Sequence, residues 1–140
     1  MLGKLGRLEQ ALKCYDHALE INPRYAKAWS NKGVVLAKLG RTDEALECFD
    51  RALEMNPRLA EVWLNKGWAL GNLGRPDEAI KCYDRALEIN PRFAIAWYNK
   101  GAALYSLDRR ALANHAFQTA LELGYVPALE ALQILKRDGR

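Results

Sequence analysis

The sequence predicts an all-α protein, a solenoid of stacked helix–turn–helix units, and three observations carry that expectation. Trp29, Trp63 and Trp97 stand 34 residues apart, each inside a closely similar hexapeptide, AWSNKG, VWLNKG and AWYNKG. Cys14, Cys48 and Cys82 keep the same interval of 34. Between these marks apolar residues recur at helical spacing, and glycine and proline recur where helices have to stop. A fixed period of this size marks a repeated supersecondary unit rather than a single chemical site.

Aligned on the tryptophans, the chain divides into a half unit at 1–25, full units at 26–59, 60–93 and 94–127, and a remnant at 128–140. The half unit holds a second helix, expected over 8–21, whose first-helix partner is missing, as in a fragment of a longer array or a shortened start. Each full unit reads as two helices. The first, AKAWSNKGVVLAKLG in the opening unit, carries Trp29, Gly33, Leu36 and Gly40 at i, i+4, i+7 and i+11, one narrow stripe. Its partner, TDEALECFDRALEMN, carries Ala45, Phe49 and Ala52 in the same way. Gly40 and Gly74 suit the left-handed position after a first helix, and Pro76 suits the first position of a second. The acidic pairs Asp43–Glu44 and Asp77–Glu78 complement a helix N-terminus, while Pro23, Pro57 and Pro91 stop the second helices.

A mid-helix glycine costs about 1 kcal/mol relative to alanine, so Gly33, Gly67 and Gly101 predict close helix crossings with no room for a Cβ. Ala45, Ala52, Ala79, Ala86, Ala113 and Ala120 serve the same end on the second helices. Tyr15, Phe49, Tyr83 and Phe117 fill the space beside them, large against small. In the third unit Tyr125 stands where the stopping proline is expected and Pro127 follows two residues later. The array is therefore ending. PALEALQILKRDGR predicts a terminal helix with Ala131, Leu132 and Leu135 inward and Glu130, Gln133, Lys136 and Arg137 toward water, a capping role.

With 50% hydrophobic and 27% charged residues among 140, the composition is that of one globular domain. No run approaches the ~18 apolar residues of a membrane span, and MLGKLGRLEQ lacks the apolar core of a secretory signal, so a cytoplasmic setting is expected. Cysteines at equivalent repeat positions are too far apart to bridge, and an odd, unpaired set suits a reducing compartment. His17 and His115, the two histidines, fall in different units. No metal spacing, nucleophile–base set or phosphate-cradling glycine loop can be assembled, so no cofactor, metal or enzymatic role is expected.

The chain resembles the tetratricopeptide repeat (TPR) family, a 34-residue helix–turn–helix with Trp, Gly, Ala, aromatic, Ala and Pro at set positions. The matching residues are Trp29, Gly33, Ala45, Phe49, Ala52 and Pro57; Trp63, Gly67, Ala79, Tyr83, Ala86 and Pro91; and Trp97, Gly101, Ala113, Phe117 and Ala120. The half unit adds Ala11, Tyr15, Ala18 and Pro23. The resemblance implies a right-handed superhelix whose first helices line a concave face that binds peptides or partner helices. The inner stripe reads Lys27, Ser30, Val34 and Ala37, then Glu61, Leu64, Trp68 and Gly71, then Ile95, Tyr98, Ala102 and Tyr105, turning from polar to apolar along the array. Some members hold acidic chaperone tails in a basic clamp on these positions. Ser30, Val34, Glu61 and Ile95 depart from that clamp and only Asn65 matches it, which speaks against such a tail.

The expected function is thus a protein–protein interaction scaffold, with a peptide site on Leu64, Asn65, Trp68, Ile95, Tyr98, Asn99 and Tyr105. Trp68 is the tryptophan outside the 34-residue spacing, so the repeat's packing does not account for it. The competing assignment for the stripe is core packing of Trp68 and Tyr105 on neighbouring helices. Asn31, Asn65 and Asn99 are either ligand-backbone binders or solvated polar residues. A net charge of +4 leaves nucleic acid as the alternative partner, through Arg7, Arg41, Arg75 and Arg109 in one set of turns and Arg24, Arg58 and Arg92 in the other. Those sets should lie on opposite edges, and phosphate binding would weaken steeply with salt.

Two further expectations concern contacts. Lys32, Lys66 and Lys100 each follow an aspartate by 16 residues, Asp16, Asp50 and Asp84, and where that aspartate becomes Gln118 the later residue is Ile134. Either an Asp–Lys contact joins adjacent units or both charges are solvated. Leu12, Tyr15 and Leu19 should form an exposed apolar edge on the unpartnered helix 8–21, covered by another chain, as in self-association, or by rearrangement.

Overall fold

The computed structural model describes residues 2–139, the side chain of residue 2 excepted. Among the described residues the chain is eight helices and no strand: α1 (Leu2–Ile21), α2 (Ala26–Lys38), α3 (Thr42–Met55), α4 (Ala60–Asn72), α5 (Pro76–Ile89), α6 (Ala94–Ser106), α7 (Arg110–Glu122) and α8 (Pro127–Asp138). The pairs α2–α3, α4–α5 and α6–α7 pack most extensively, neighbouring pairs pack on one another less so, and α4 touches both α2 and α6. The result is an all-α solenoid with the first helices of the three units side by side.

The turn inside each unit is written by its Leu-Gly-Arg. Gly40 and Gly74 take φ of +78° and +75°. The Gly40 N–H donates to the Ala37 carbonyl at 3.1 Å and the Arg41 N–H to the Leu36 carbonyl at 2.9 Å, the two bonds that close a helix C-terminus through a left-handed residue. The third unit lacks the glycine, and Asp108 adopts φ +60° instead. An L side chain in that region costs about 1 kcal/mol or more, while the exposed Asp108–Arg110 pair contributes little. Asp108→Gly should therefore raise stability by about 0.5–1 kcal/mol, read as a higher urea midpoint; a lower midpoint would mean that the pair outweighs the backbone strain.

Between units the Asn-Pro-Arg segment makes a different turn. The side-chain oxygens of Asn22, Asn56 and Asn90 accept from the N–H groups of Arg24, Arg58 and Arg92 at 3.1, 3.1 and 3.2 Å, an Asx turn. Each repeat tryptophan then fastens the turn before it: Trp29, Trp63 and Trp97 donate their indole N–H to the carbonyls of Pro23, Pro57 and Pro91 at 2.9, 2.8 and 2.9 Å.

The glycines do what the helical spacing predicts. A Cβ at Gly33 would lie 2.6 Å from the Phe49 ring, one at Gly67 2.6 Å from the Tyr83 ring, and one at Gly101 2.7 Å from the Phe117 ring. Each second helix presses its aromatic ring onto bare first-helix backbone, and the alanines beside it are fully buried.

The Asp–Lys contact joins adjacent units. Lys32, Lys66 and Lys100 reach Asp16, Asp50 and Asp84 at 2.7 Å in every case. Each ammonium also lies 5.4–5.6 Å from the ring centroid of its own unit's tryptophan, near enough for cation–π attraction. In the hexapeptide, then, Trp closes the preceding turn, Lys pairs across the unit boundary and Gly admits the ring.

Three expectations need correction. Leu12 and Leu19 are not a bare edge: both are 8% exposed. Leu12 belongs to the core cluster shared with α2 and α3, against which Tyr15 also packs. Arg7 is not in a turn, since α1 begins at Leu2 and runs through it. The connection to α8 is not a displaced proline stop. Gly124 takes φ +99°, and Gly124 and Tyr125 donate to the Leu121 and Ala120 carbonyls at 2.9 Å, so the boundary reuses the turn found inside the units. On α8, Leu135 is buried, Ala131 and Leu132 are half-buried, and Glu130, Gln133, Lys136 and Arg137 face water, as the sequence predicts.

Candidate peptide-binding groove

The face built by α2, α4 and α6 holds an exposed tryptophan with open space on both sides. Trp68, on α4, is 46% exposed. On one side a cavity of about 250 Å³ is lined by Val34, Ala37, Leu64, Asn65, Ile95 and Asn99, with Phe49 reached at its floor. On the other side a cavity of about 570 Å³ is bounded by Gly71, Pro76, Tyr83, Asn99, Ala102 and Ser106. Asn99 borders both. Gly71 has no neighbour within 4 Å of where a Cβ would stand, so the floor beside Trp68 is open.

These positions follow from the period of the helix. Leu64, Trp68 and Gly71 fall at i, i+4 and i+7 on α4, and Ile95 and Asn99 at i and i+4 on the neighbouring α6, so two short stripes face one another across the groove. The unit-packing stripe of each helix points elsewhere, into its own second helix. Trp68 lies outside that stripe, although Leu64 beside it packs against the buried clusters around Tyr83 and Ala86.

The seven residues singled out from sequence divide into two groups. Leu64, Asn65, Trp68, Ile95 and Asn99 all line the smaller cavity. Tyr98 and Tyr105 are engaged within the chain. The Tyr98 ring lies 5.4 Å from that of Phe117 and 4.9 Å from that of Tyr125, and the Tyr105 hydroxyl donates to the Asp138 carboxylate on α8. That hydrogen bond, more than burial, holds the Tyr105 phenol above its ordinary pKa. The terminal helix thus closes the C-terminal end of the groove. Lys38, at the rim of the same cavity, escaped the stripe drawn on the sequence, although it lies eleven residues after Lys27 and so on the same helical face. No carboxylate among the described residues lies within ion-pairing distance of it.

A larger cavity, about 690 Å³, opens where α2 and α4 begin, against Lys27, Ser30, Asn31, Arg58, Glu61 and Phe93. Its walls mix both signs of charge around one exposed aromatic, Tyr25, which is 46% exposed. Trp68 is equally exposed but stands between two cavities whose charged lining is Lys38 alone, which makes the space around it the better candidate, since a few apolar anchors carry most of the energy of a recognition site.

The arginines of the within-unit turns are paired inside the chain, whereas Arg24, Arg58 and Arg92 make no side-chain ion pair among the described residues. Arg41 pairs with Glu44 at 2.7 Å, and Arg109 reaches Asp77 at 3.9 Å. Arg75 is likewise bonded to Glu78.

The period, the glycine–ring contacts and the two turn types have a counterpart in known sequences. A model of the tetratricopeptide repeat matches residues 26–59 and 60–93, a TPR repeat model matches 2–40, and another tetratricopeptide repeat model matches 82–122. The chain belongs to the tetratricopeptide repeat family. No curated protein matches it in sequence. Among solved structures, the TPR chain is similar to the crystal structure of MamA, with TM-score 0.88, 19% identity, and coverage of 96% of this chain and 80% of that one. It is also similar to a MamA RS-1 ArsTM double mutant, with TM-score 0.87, 21% identity, and coverage of 96% and 76%. A third likeness is to the first TPR of Spaghetti (RPAP3) bound to the HSP90 peptide SRMEEVD, with TM-score 0.78, 23% identity, and coverage of 81% and 91%. At these identities the likeness is one of fold.

Proposed function

We propose that this TPR array is an interaction scaffold whose α2–α4–α6 face takes an extended or helical segment of a partner protein, anchored by a bulky apolar side chain beside Trp68. The observation that carries this is the exposed Trp68 between two cavities, with Leu64 and Ile95 as apolar walls and Asn65 and Asn99 within reach of a ligand's polar groups. An exposed aromatic continuous with apolar walls is the kind of surface patch that marks an interaction site. Aromatic anchors in grooves are a recurrent recognition mode, and a TPR of the same fold holds a peptide, SRMEEVD. Tyr98 and Tyr105 form the closed end of the groove and set how far the segment runs. Lys38 favours an acidic residue near the anchor. The array acts by binding rather than by catalysis, and in the cytoplasm its thiols stay reduced.

The test is selection of a displayed peptide library on the intact array. Enriched peptides should share one large apolar residue, quench or shift Trp68 emission on binding, and lose that change in Trp68→Phe. Enrichment of peptides whose binding ignores Trp68, or preferential capture of RNA with affinity falling steeply as salt rises, would overturn the proposal.

A further inference from the structure

Ser30 is the one buried polar side chain among the described residues, 8% exposed. The hydroxyls of Ser106 and Thr119 donate back to carbonyls of their own helices, and no such bond holds the Ser30 hydroxyl. No buried side-chain oxygen among the described residues is sealed from solvent without a partner, so the Ser30 oxygen opens into the cavity of about 690 Å³ that the residue lines. Its counterparts in the next two units are Leu64 and Tyr98, so the repeat itself does not call for a serine. A buried hydroxyl with no partner costs stability, and the cavity is the side from which a partner can come.

The α2 wall of that cavity is made of donors. α2 starts uncapped: Tyr25 gives it no side-chain bond and its first turn carries no acid. The Tyr25 carbonyl accepts from the N–H groups of Ala28 and Trp29, which leaves those of Ala26 and Lys27, both on the cavity wall, unspent. The Lys27 ammonium and the Asn31 amide belong to the same wall, and Arg58 reaches it from the next between-unit turn. Neither Lys27 nor Arg58 has an ion-pair partner among the described residues. Glu61, the one acid of the cavity, lies in the first turn of α4 and compensates that helix start. The positive end left open is therefore that of α2. Ala26, Lys27, Ser30, Asn31, Arg58 and Glu61 all fall within the two complete units 26–59 and 60–93, away from both chain ends.

We infer that this cavity is a second binding site, one for a phosphate monoester, with the phosphate seated at the start of α2 among Lys27, Ser30 and Arg58. It is separate from the Trp68 groove and does not rest on it. A phosphate monoester carries about 1.5 to 2 negative charges at neutral pH and three acceptor oxygens. That matches two cations, a hydroxyl and the free N–H groups of a helix start. A carboxylate, with one charge and two oxygens, leaves part of this donor set unmet. Serine at 30 also keeps open the room that Leu64 and Tyr98 take up at the same position in later units. Glu61, across the cavity, turns the anion away from α4 and toward α2. The cavity is larger than a phosphate and accommodates the group that carries it, either a phosphorylated side chain of a protein or a phosphorylated small molecule.

Amide NMR titration of the full chain at fixed ionic strength, with a capped Ala–phosphoserine–Ala peptide and with glycerol phosphate, tests this. Both probes should move the Ala26, Lys27 and Ser30 signals and saturate. Tighter binding of the peptide assigns the phosphate to a protein side chain, and tighter binding of glycerol phosphate assigns it to a small molecule. Lys27→Gln and Arg58→Gln should each weaken binding by about ten-fold or more, as for a lost charge-assisted bond, and both residues are exposed, so the fold should stand. Lys81→Gln, an equal loss of charge on α5, should change little. Glu61→Gln should tighten binding. Ser30→Ala should weaken it and yet raise the urea midpoint, because the unpartnered hydroxyl is gone; a residue with a merely structural role would not move the two readings in opposite directions. Shifts that never saturate, an aspartate peptide bound as tightly as the phosphoserine one, or equal losses from Lys81→Gln and Lys27→Gln would each overturn the inference. Should Ser30→Ala lose structure, the Lys27 and Arg58 variants decide, and their indifference counts against the site.

Discussion

Trp63→Ala should destabilise the array by about 3–5 kcal/mol, the range for truncating a large packed aromatic. Trp63 packs against three of the buried clusters, those around Phe49, Tyr83 and Ala86. It also fastens the Pro57 carbonyl at 2.8 Å, and its ring lies against Lys66 at 5.6 Å and Arg85 at 5.2 Å. Truncation removes the packing of one unit on the next, the bond that closes the turn between them and the surface that steadies the Lys66–Asp50 pair. In a solenoid, stability is a sum of unit and boundary terms, so the loss should also split the transition: residues before and after α4 should melt at different urea concentrations. Urea unfolding followed by circular dichroism and by single-site fluorescence measures both effects. A loss under about 1 kcal/mol with one shared transition would contradict the role given to Trp63.

Gly67→Ala should also destabilise, by about 1–3 kcal/mol, although alanine is worth about 1 kcal/mol more than glycine in an isolated helix. The new Cβ would fall 2.6 and 2.9 Å from two atoms of the Tyr83 ring. Tyr83 is 3% exposed, so the ring has nowhere to go without moving α5. Combining the change with Tyr83→Leu should recover part of the loss, a non-additivity expected for residues in direct contact. Gly71, one turn further along the same helix, is the internal control: nothing lies within 4 Å of its would-be Cβ, and Gly71→Ala should be neutral or stabilising. If both alanines behaved alike, close approach would not be the reason for Gly67.

Why these residues were readable from sequence, and others were not, follows from the range of the forces involved. The period, the close crossings and the Asp–Lys ladder were legible because each rests on contacts that recur at a fixed interval, so that three copies report the same geometry. The chain ends break that logic. KLGR occurs at 4–7 and at 38–41. At 38–41 Gly40 turns left-handed at φ +78°, whereas at 4–7 the same residues continue α1. The same four residues thus make a turn after α2 and helix within α1, so the tetrapeptide alone does not write the turn. The connection at 123–125 is the converse case: Leu-Gly there makes a within-unit turn before α8, where repeat alignment alone called for a proline.

The groove was legible in part for a related reason. Helical phase placed Leu64, Asn65, Trp68, Ile95 and Asn99 on one face, and they do line one cavity. Phase says nothing of what a terminal helix covers, and α8 engages Tyr105 through Asp138 while Tyr98 is wedged between Phe117 and Tyr125. The tryptophan hydrogen bonds to proline carbonyls also had no sequence signal, because a backbone acceptor six residues upstream looks the same in any chain.

The measurement closest to the central claim compares Trp68→Ala with the unaltered array for affinity toward a library-selected peptide, with urea unfolding on the same samples. The groove account predicts at least about 2 kcal/mol of lost binding, roughly thirty-fold, as for an interface anchor. It predicts a stability change under about 0.5 kcal/mol, as for an exposed residue outside the core. An array that unfolds on losing Trp68, while the folded fraction binds the peptide as tightly as before, would place Trp68 in the core and contradict the account.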